Sequence, residues 1–121
     1  MAVISLWELY GQVNEKGLAE ALKENFGSRV RMSFSINGDI YSTEIMDIDF
    51  SVRAYNCLKR GGFGTVGDVL KLVQSHKLHT VRNLSDKTKK EIKIKVLEYV
   101  YQRMTKEEKT EFLKQIINKN I

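Results

Sequence analysis

The sequence contains no proline and only one cysteine among its 121 residues, and no long apolar run. The absence of proline argues against a proline-rich disordered linker. A single cysteine, Cys57, excludes an intrachain disulfide and fits a reducing compartment. No segment approaches the roughly 20 apolar residues that a membrane helix needs. The first residues, Met1 to Glu8, lack the basic start and apolar core of a signal peptide. A cytoplasmic protein is therefore expected.

Positive charge is concentrated in the middle of the sequence. The net charge is +5 overall, with −2 in residues 1–46, +6 in residues 47–104 and +1 in residues 105–121. A basic segment suits an anionic partner such as DNA. Solubility alone explains a net charge of this size equally well, so that charge does not decide between the two interpretations.

The first third of the sequence has the pattern of an amphipathic helix. Asn14 is a candidate N-cap for a helix over Glu15–Phe26, in which Leu18 and Leu22 recur at helical spacing. Gly27 is a plausible stop.

A β-hairpin is predicted next. Apolar and polar residues alternate over Val30–Ile36, Asn37-Gly38 is the preferred pair for a type I′ turn, and the return strand would run over Asp39–Met46. An isolated hairpin is only marginally stable in water, so we expect it to pack on the preceding helix, on further strands or on a second copy or partner. The predicted fold class is accordingly mostly α with a small β-hairpin.

A short helix with one polar side is predicted after the hairpin. Ser51 is a good N-cap, and Arg53, Asn56 and Arg60 are spaced to share one side of the helix. The opposite, apolar side is expected to consist of Val52, Tyr55 and Leu58. An Arg and an Asn together at a helix start suit phosphate and groove-edge contacts. A solvated polar face of an ordinary amphipathic helix is the alternative interpretation.

Three further long helices are predicted, together with a short helix over His76–Val81 for which Ser75 is the candidate N-cap. The first covers Thr65–Val73, and the second begins after the N-cap Ser85 and ends near Arg103. Backbone N–H groups at the start of this second helix would favour a phosphate. Thr105 and Glu108 form a capping box that starts the last helix.

No catalytic, cofactor or metal site is predicted. Gly61, Gly62 and Gly64 are not followed by the Lys-Ser/Thr pair of a phosphate loop. His76 and His79 lie three residues apart without an evident third ligand. No nucleophile lies in the context of a base and an orienting group. We therefore do not expect an enzyme.

Three ordered blocks resemble the C-terminal domain of the bacterial RNA polymerase alpha subunit. The run Ser51–Lys59, S-V-R-A-Y-N-C-L-K, resembles its first helix, and Gly64–Leu70 resembles its second. Val81–Thr88, followed by Glu91–Ile92, resembles its helix-hairpin-helix turn and last helix. The resemblance covers residues from about 47 to 101.

The resemblance implies a domain organisation. Residues 47–104 would form a compact helix-hairpin-helix domain, residues 1–46 a helix and hairpin extension of unknown role, and residues 105–121 an additional helix. This last helix would either cover the hairpin or form a dimer contact.

The resemblance also implies binding to the minor groove of A·T-rich double-stranded DNA. Seven positions match the family's DNA-binding residues: Arg53, Asn56, Cys57, Ser85, Lys87, Thr88 and Glu91. The Arg enters the groove, which agrees with the strongly negative potential of a narrow A·T minor groove. Ser85 stands where the family usually has Gly, and Asp86 would repel phosphate, so both weaken this prediction.

Two functions thus remain open. The protein is a bacterial DNA-binding protein acting in transcription, or it is a protein-interaction module that binds RNA polymerase or a transcription regulator as a mimic of the alpha domain. Asp86 and the acidic N-terminal segment favour the second.

Overall fold

The computed structural model describes residues 4–27, 30–34 and 38–120. Within them the protein forms seven α-helices: α1 (Leu6–Lys16), α2 (Leu18–Phe26), α3 (Gly38–Ser42), α4 (Val52–Arg60), α5 (Val66–Gln74), α6 (Asp86–Gln102) and α7 (Lys106–Lys119). Short 3-10 turns occupy Ile45–Asp47 and Leu78–Thr80. None of the described helices is long and apolar enough to cross a membrane.

The protein consists of two compact units. The first contains residues 1–35 and 101–121, and the second contains residues 36–100. In the first unit α1 packs on both α2 and α7. The core of this unit is made of apolar side chains that are almost entirely buried: Leu9, Val13, Leu18, Leu22, Val30, Leu113 and Ile116. Phe34 stacks on Phe112, with ring centroids 4.5 Å apart.

The predicted helix over Glu15–Phe26 is wrong at its start. Asn14 lies inside α1 and is not a cap. Gly17 separates α1 from α2, since its φ of 93° lies in the left-handed region that favours glycine. The predicted stop at Gly27 is confirmed, where α2 ends with a φ of 86°.

The predicted β-hairpin is also wrong, because the described residues contain no strand. Ser35, Ile36 and Asn37 of this prediction lie outside the described residues. Residues 30–34 are neither helix nor strand, yet Val30, Met32 and Phe34 are buried as the alternation indicated. Alternating burial therefore arises without a partner strand.

The side chain of Asn120 pairs with the backbone of residues 30–34 in place of a neighbouring strand. Arg31 N–H donates to Asn120 Oδ1 at 2.8 Å, and Asn120 Nδ2 donates to the Arg31 carbonyl at 2.8 Å. The Asn120 amide thus bonds both backbone groups of Arg31, as an opposing strand residue does in an antiparallel ladder.

The predicted return strand is instead the helix α3 followed by a turn. Thr43 Oγ1 donates to the Asp39 carbonyl at 2.7 Å, which closes the end of this helix. Helix α3 packs on α5, where Tyr41 lies so close to Gly67 that a Cβ there would meet Tyr41 Cδ1 at 2.7 Å and the Tyr41 carbonyl at 2.9 Å. Gly67 therefore permits the contact.

The predicted caps at Ser51 and Thr105 are confirmed, and α5 begins with a capping box that was not predicted. Thr65 forms a capping box with Asp68 at the start of α5, and Thr105 forms one with Glu108 at the start of α7. The hydroxyl of Ser51 caps α4 by accepting from Ala54 N–H. These caps satisfy backbone donors that have no partner within their own helix.

We expect Gly67→Ala to destabilise the protein by about 1–3 kcal/mol, because the new methyl group overlaps a backbone oxygen that cannot turn away. Gly11→Ala is the matched control. Gly11 lies within α1, and nothing lies within 4 Å of the position that its new methyl group would take. This second change should stabilise the protein by about 0.5–1 kcal/mol through helix propensity.

Urea unfolding followed by circular dichroism measures both effects. If Gly67→Ala were as stabilising as Gly11→Ala, the close packing of α3 on α5 would be refuted.

Candidate nucleic-acid interface

Helix α4 presents a polar side to solvent. Arg53, Asn56 and Arg60 are all exposed, as their spacing predicted. The buried side consists of Ala54, Cys57 and Leu58. The expected apolar side was partly wrong, because Val52 is 77% exposed.

The start of α4 is fixed to α6 by one carboxylate. Glu91 accepts hydrogen bonds from Ser51 N–H at 2.6 Å and from the Ser51 hydroxyl at 2.8 Å. Lys95 lies one turn further along α6, 3.5 Å from Glu91, and also donates to the carbonyl of Asp49. Glu91 and Lys95 together therefore hold the lead-in to α4, two residues before Arg53.

These contacts favour the ionised form of Glu91. Partial burial by itself would raise the pKa of Glu91, but the Ser51 backbone N–H, the Ser51 hydroxyl and the Lys95 ammonium outweigh it. Together they hold this pKa below its ordinary value of 4.5.

The turn before α6 is held to α4 as well. Asn83 adopts a left-handed φ of 66°, which Asn tolerates better than most residues. Its carbonyl accepts from Cys57 Sγ at 3.6 Å. Ser85 caps α6 as predicted, since its hydroxyl accepts from Thr88 N–H at 3.2 Å. Helix α4 is thus linked both to this turn and to the first turns of α6.

The seven predicted site residues fall into two groups. Arg53, Asn56, Ser85 and Lys87 are exposed. Cys57 and Thr88 are buried, and Glu91 is half-buried and bonded to Ser51. Matching residue types to a family motif could not separate these groups, because exposure depends on how α4 and α6 pack. We call the four exposed residues the α4–α6 face.

One negative charge lies beside this face. Asp86 is the first residue of α6, its side chain is 99% exposed, and Lys89 lies 3.7 Å away. An acidic residue in the first turn suits the helix dipole, but an exposed ion pair this long neutralises little of the charge. The repulsion of phosphate that the sequence predicted here therefore stays a prediction.

Among the described residues, no group of three or more His, Cys, Asp or Glu is arranged to hold a metal ion. His76 and His79 are both exposed, His76 in the turn after α5 and His79 in the 3-10 turn Leu78–Thr80. This 3-10 turn is all that forms of the short helix predicted over His76–Val81.

A family profile matches residues 35–98, just over half of the protein. The family that it describes is the C-terminal domain of the alpha subunit of bacterial RNA polymerase. The protein belongs to this family. The alpha C-terminal domain match starts at residue 35 and therefore includes α3, whereas the sequence predicted a domain from residue 47; the domain bounds stay a prediction.

Several relatives carry the name DNA-directed RNA polymerase subunit alpha. The Roseiflexus sp. (strain RS-1) protein is 45% identical over 67 residues, which are 55% of this sequence and 20% of that protein. The Corynebacterium glutamicum (strain R) protein is 48% identical over 56 residues, 46% of this sequence and 16% of that one. The Herpetosiphon aurantiacus protein is 44% identical over 63 residues, which are 52% of this sequence and 19% of that protein.

The matched segment thus spans a fifth or less of the length of these relatives. No solved structure matches this protein. Membership of the alpha C-terminal domain family makes it a transcription-related protein.

For the alpha C-terminal domain we expect Glu91→Gln to lower stability at neutral pH by about 1–2 kcal/mol, since hydrogen bonds to a charged group are lost. The pKa of Glu91 is depressed in the folded state, so its stabilising contribution is present above about pH 4.5. It is lost as the pH falls through the lower folded value. The difference in free energy of unfolding between the wild type and Glu91→Gln should therefore shrink in urea unfolding curves taken from pH 7 down to pH 3.

Glu44→Gln is the control, because Glu44 is exposed and its side chain forms no hydrogen bond or ion pair with the described residues. If the stability lost in Glu91→Gln stayed constant down to low pH, the charge of Glu91 would not be its cause.

Proposed function

We propose that the protein binds double-stranded DNA through the α4–α6 face and acts in transcription. What supports this most is the family match to the alpha C-terminal domain together with the exposure of Arg53 and Asn56 beside the start of α6. The relatives' printed name, DNA-directed RNA polymerase subunit alpha, agrees with a role at DNA.

Each exposed residue has a physical role in this proposal. Arg53 enters the minor groove of A·T-rich DNA, where a narrow groove concentrates negative potential. Asn56, one turn later, donates to acceptors on the groove edge. Lys87 and the free N–H groups at the start of α6 hold a phosphate, which fixes position without reading sequence.

The residues that are not exposed act indirectly in this proposal. Glu91 holds Ser51 and thereby the direction in which α4 starts. Cys57 ties α4 to the Asn83 carbonyl, and Thr88 packs beneath the start of α6 next to Ser85. These three residues position the face.

A second candidate function is a protein-interaction module for RNA polymerase or a transcription regulator. One observation favours it: Met46 and Val52, on the lead-in and first residue of α4, are 64% and 77% exposed. Both side chains line one surface hollow together with Phe50, and contiguous exposed apolar surface is typical of protein contacts. Asp47 and Asp49 between them would suit a basic partner.

We expect Arg53→Ala to weaken binding to an A·T-rich duplex by about 1–3 kcal/mol, roughly 5- to 150-fold, and to reduce the preference for A·T over G·C. Fluorescence anisotropy with A·T-rich and G·C-rich duplexes at two salt concentrations measures both. Lys71→Ala removes an equal charge from α5, outside the α4–α6 face, and is the control. If the wild type bound neither duplex at low salt, the DNA proposal would be refuted and the protein-interaction function favoured.

We expect Asp86→Asn to act in the opposite direction. Removing this exposed carboxylate from the start of α6 should tighten binding to both duplexes, most clearly at low salt, because phosphate repulsion is relieved. The variant should lose up to about 1 kcal/mol of stability, since an acidic residue favours a helix start. Unchanged affinity at low salt would place Asp86 away from the bound DNA.

A further inference from the structure

A groove lies between the end of α4 and the turn before α6. Arg60 and Arg82 both line it, with Phe63, Gly61 and Asn83, and its volume is about 530 Å³. Arg82 lies 22 positions after Arg60 in the sequence, so only the fold brings them to the same groove. We call it the Arg60–Arg82 groove.

The backbone on each side of the groove is fixed. Phe63 N–H donates to the Leu58 carbonyl at 2.9 Å, which folds the backbone back after α4. A Cβ at Gly61 would meet the Phe63 ring at 2.9 Å, so glycine makes room for that ring. On the other side, Asn83 in its left-handed conformation is bonded to Cys57. Each arginine directly precedes one of these constrained residues.

The charge of the groove is unbalanced. Its lining includes no Asp or Glu. Within the described part of the protein, the side chains of Arg60 and Arg82 form no ion pair and no hydrogen bond. Two guanidinium groups at one groove repel each other, and an anion between them relieves that repulsion. The planar fork of Arg matches the oxygens of a phosphate group.

We propose that the Arg60–Arg82 groove binds a backbone phosphate of the DNA, an inference that rests on the proposed function. Arg60 shares the exposed side of α4 with Arg53 and Asn56. It lies seven residues beyond Arg53, about 10 Å along the helix. The minor groove is about 6 Å wide, so with Arg53 inside it, Arg60 reaches the strand that borders it.

The proposal separates two kinds of contact on one surface. Arg53 and Asn56 contact the groove, whereas Arg60 and Arg82 hold the sugar-phosphate backbone. Contacts to phosphate carry no sequence information directly. Loss of the two groove arginines should therefore weaken binding to every duplex equally.

The test compares wild type, Arg53→Ala, the double variant Arg60→Gln/Arg82→Gln and Lys71→Ala. Anisotropy is measured with A·T-rich and G·C-rich duplexes over a series of salt concentrations. Each lost phosphate contact flattens the plot of log affinity against log salt by about 0.9. Because the two arginines hold one phosphate, the double variant should lose about 0.9 in slope. Its A·T to G·C affinity ratio should match that of the wild type.

The double variant Arg60→Lys/Arg82→Lys completes the set. It keeps both charges but loses the bidentate fork, so it should keep most of the salt slope while binding more weakly than wild type. Thermal unfolding checks that every variant folds, which is expected because both side chains are exposed.

The outcomes distinguish this inference from the proposed function. Suppose that the wild type binds DNA and that Arg53→Ala weakens this binding. If the glutamine double variant then keeps the wild-type salt slope and affinity, the phosphate site in the groove is refuted and the proposed function stands. A double variant with an altered A·T to G·C ratio refutes the phosphate site too, because the arginines would then read bases. Absence of wild-type binding overturns both.

Discussion

The candidate interface depends on the two hydrogen bonds that Ser51 donates to Glu91. They satisfy the backbone N–H of an N-cap residue and a half-buried carboxylate at once, and we expect their loss to cost about 1–2 kcal/mol. The direction of α4, and so the position of Arg53 relative to the start of α6, follows from this junction. The Cys57 contact with Asn83 fixes the same helix near its other end.

Local sequence signals predicted α4, α5, α6 and α7 and failed where distant residues intervene. Thr65 and Thr105 each have their capping partner three residues away, so sequence alone identifies the helix start. The alternation over residues 30–34 correctly indicated which side chains are buried. It did not reveal that Asn120, 89 residues away from Arg31, occupies the place of a partner strand. The other half of the expected hairpin folds as α3 because Tyr41 packs on Gly67, a contact that no pattern within residues 38–46 encodes.

The candidate site shows a similar division. Resemblance to a family predicted which residue types occur, and Arg53 and Lys87 are exposed as a contact role requires. Thr88 matched its motif position equally well but is buried, since it faces inward one turn after the Ser85 cap. No sequence pattern predicted a binding role for Arg82, because that role depends on the groove that Arg82 shares with Arg60 in the fold.

The unit of residues 1–35 and 101–121 has a consequence for biosynthesis. Its two halves lie at opposite ends of the sequence, and the bonds between Arg31 and Asn120 close a very long loop. The family domain between them is complete on the ribosome before α7 has been translated, and domains generally fold as units in the order of synthesis. We therefore expect the apolar surface of α1 and α2 that α7 covers to stay exposed until α7 has been translated.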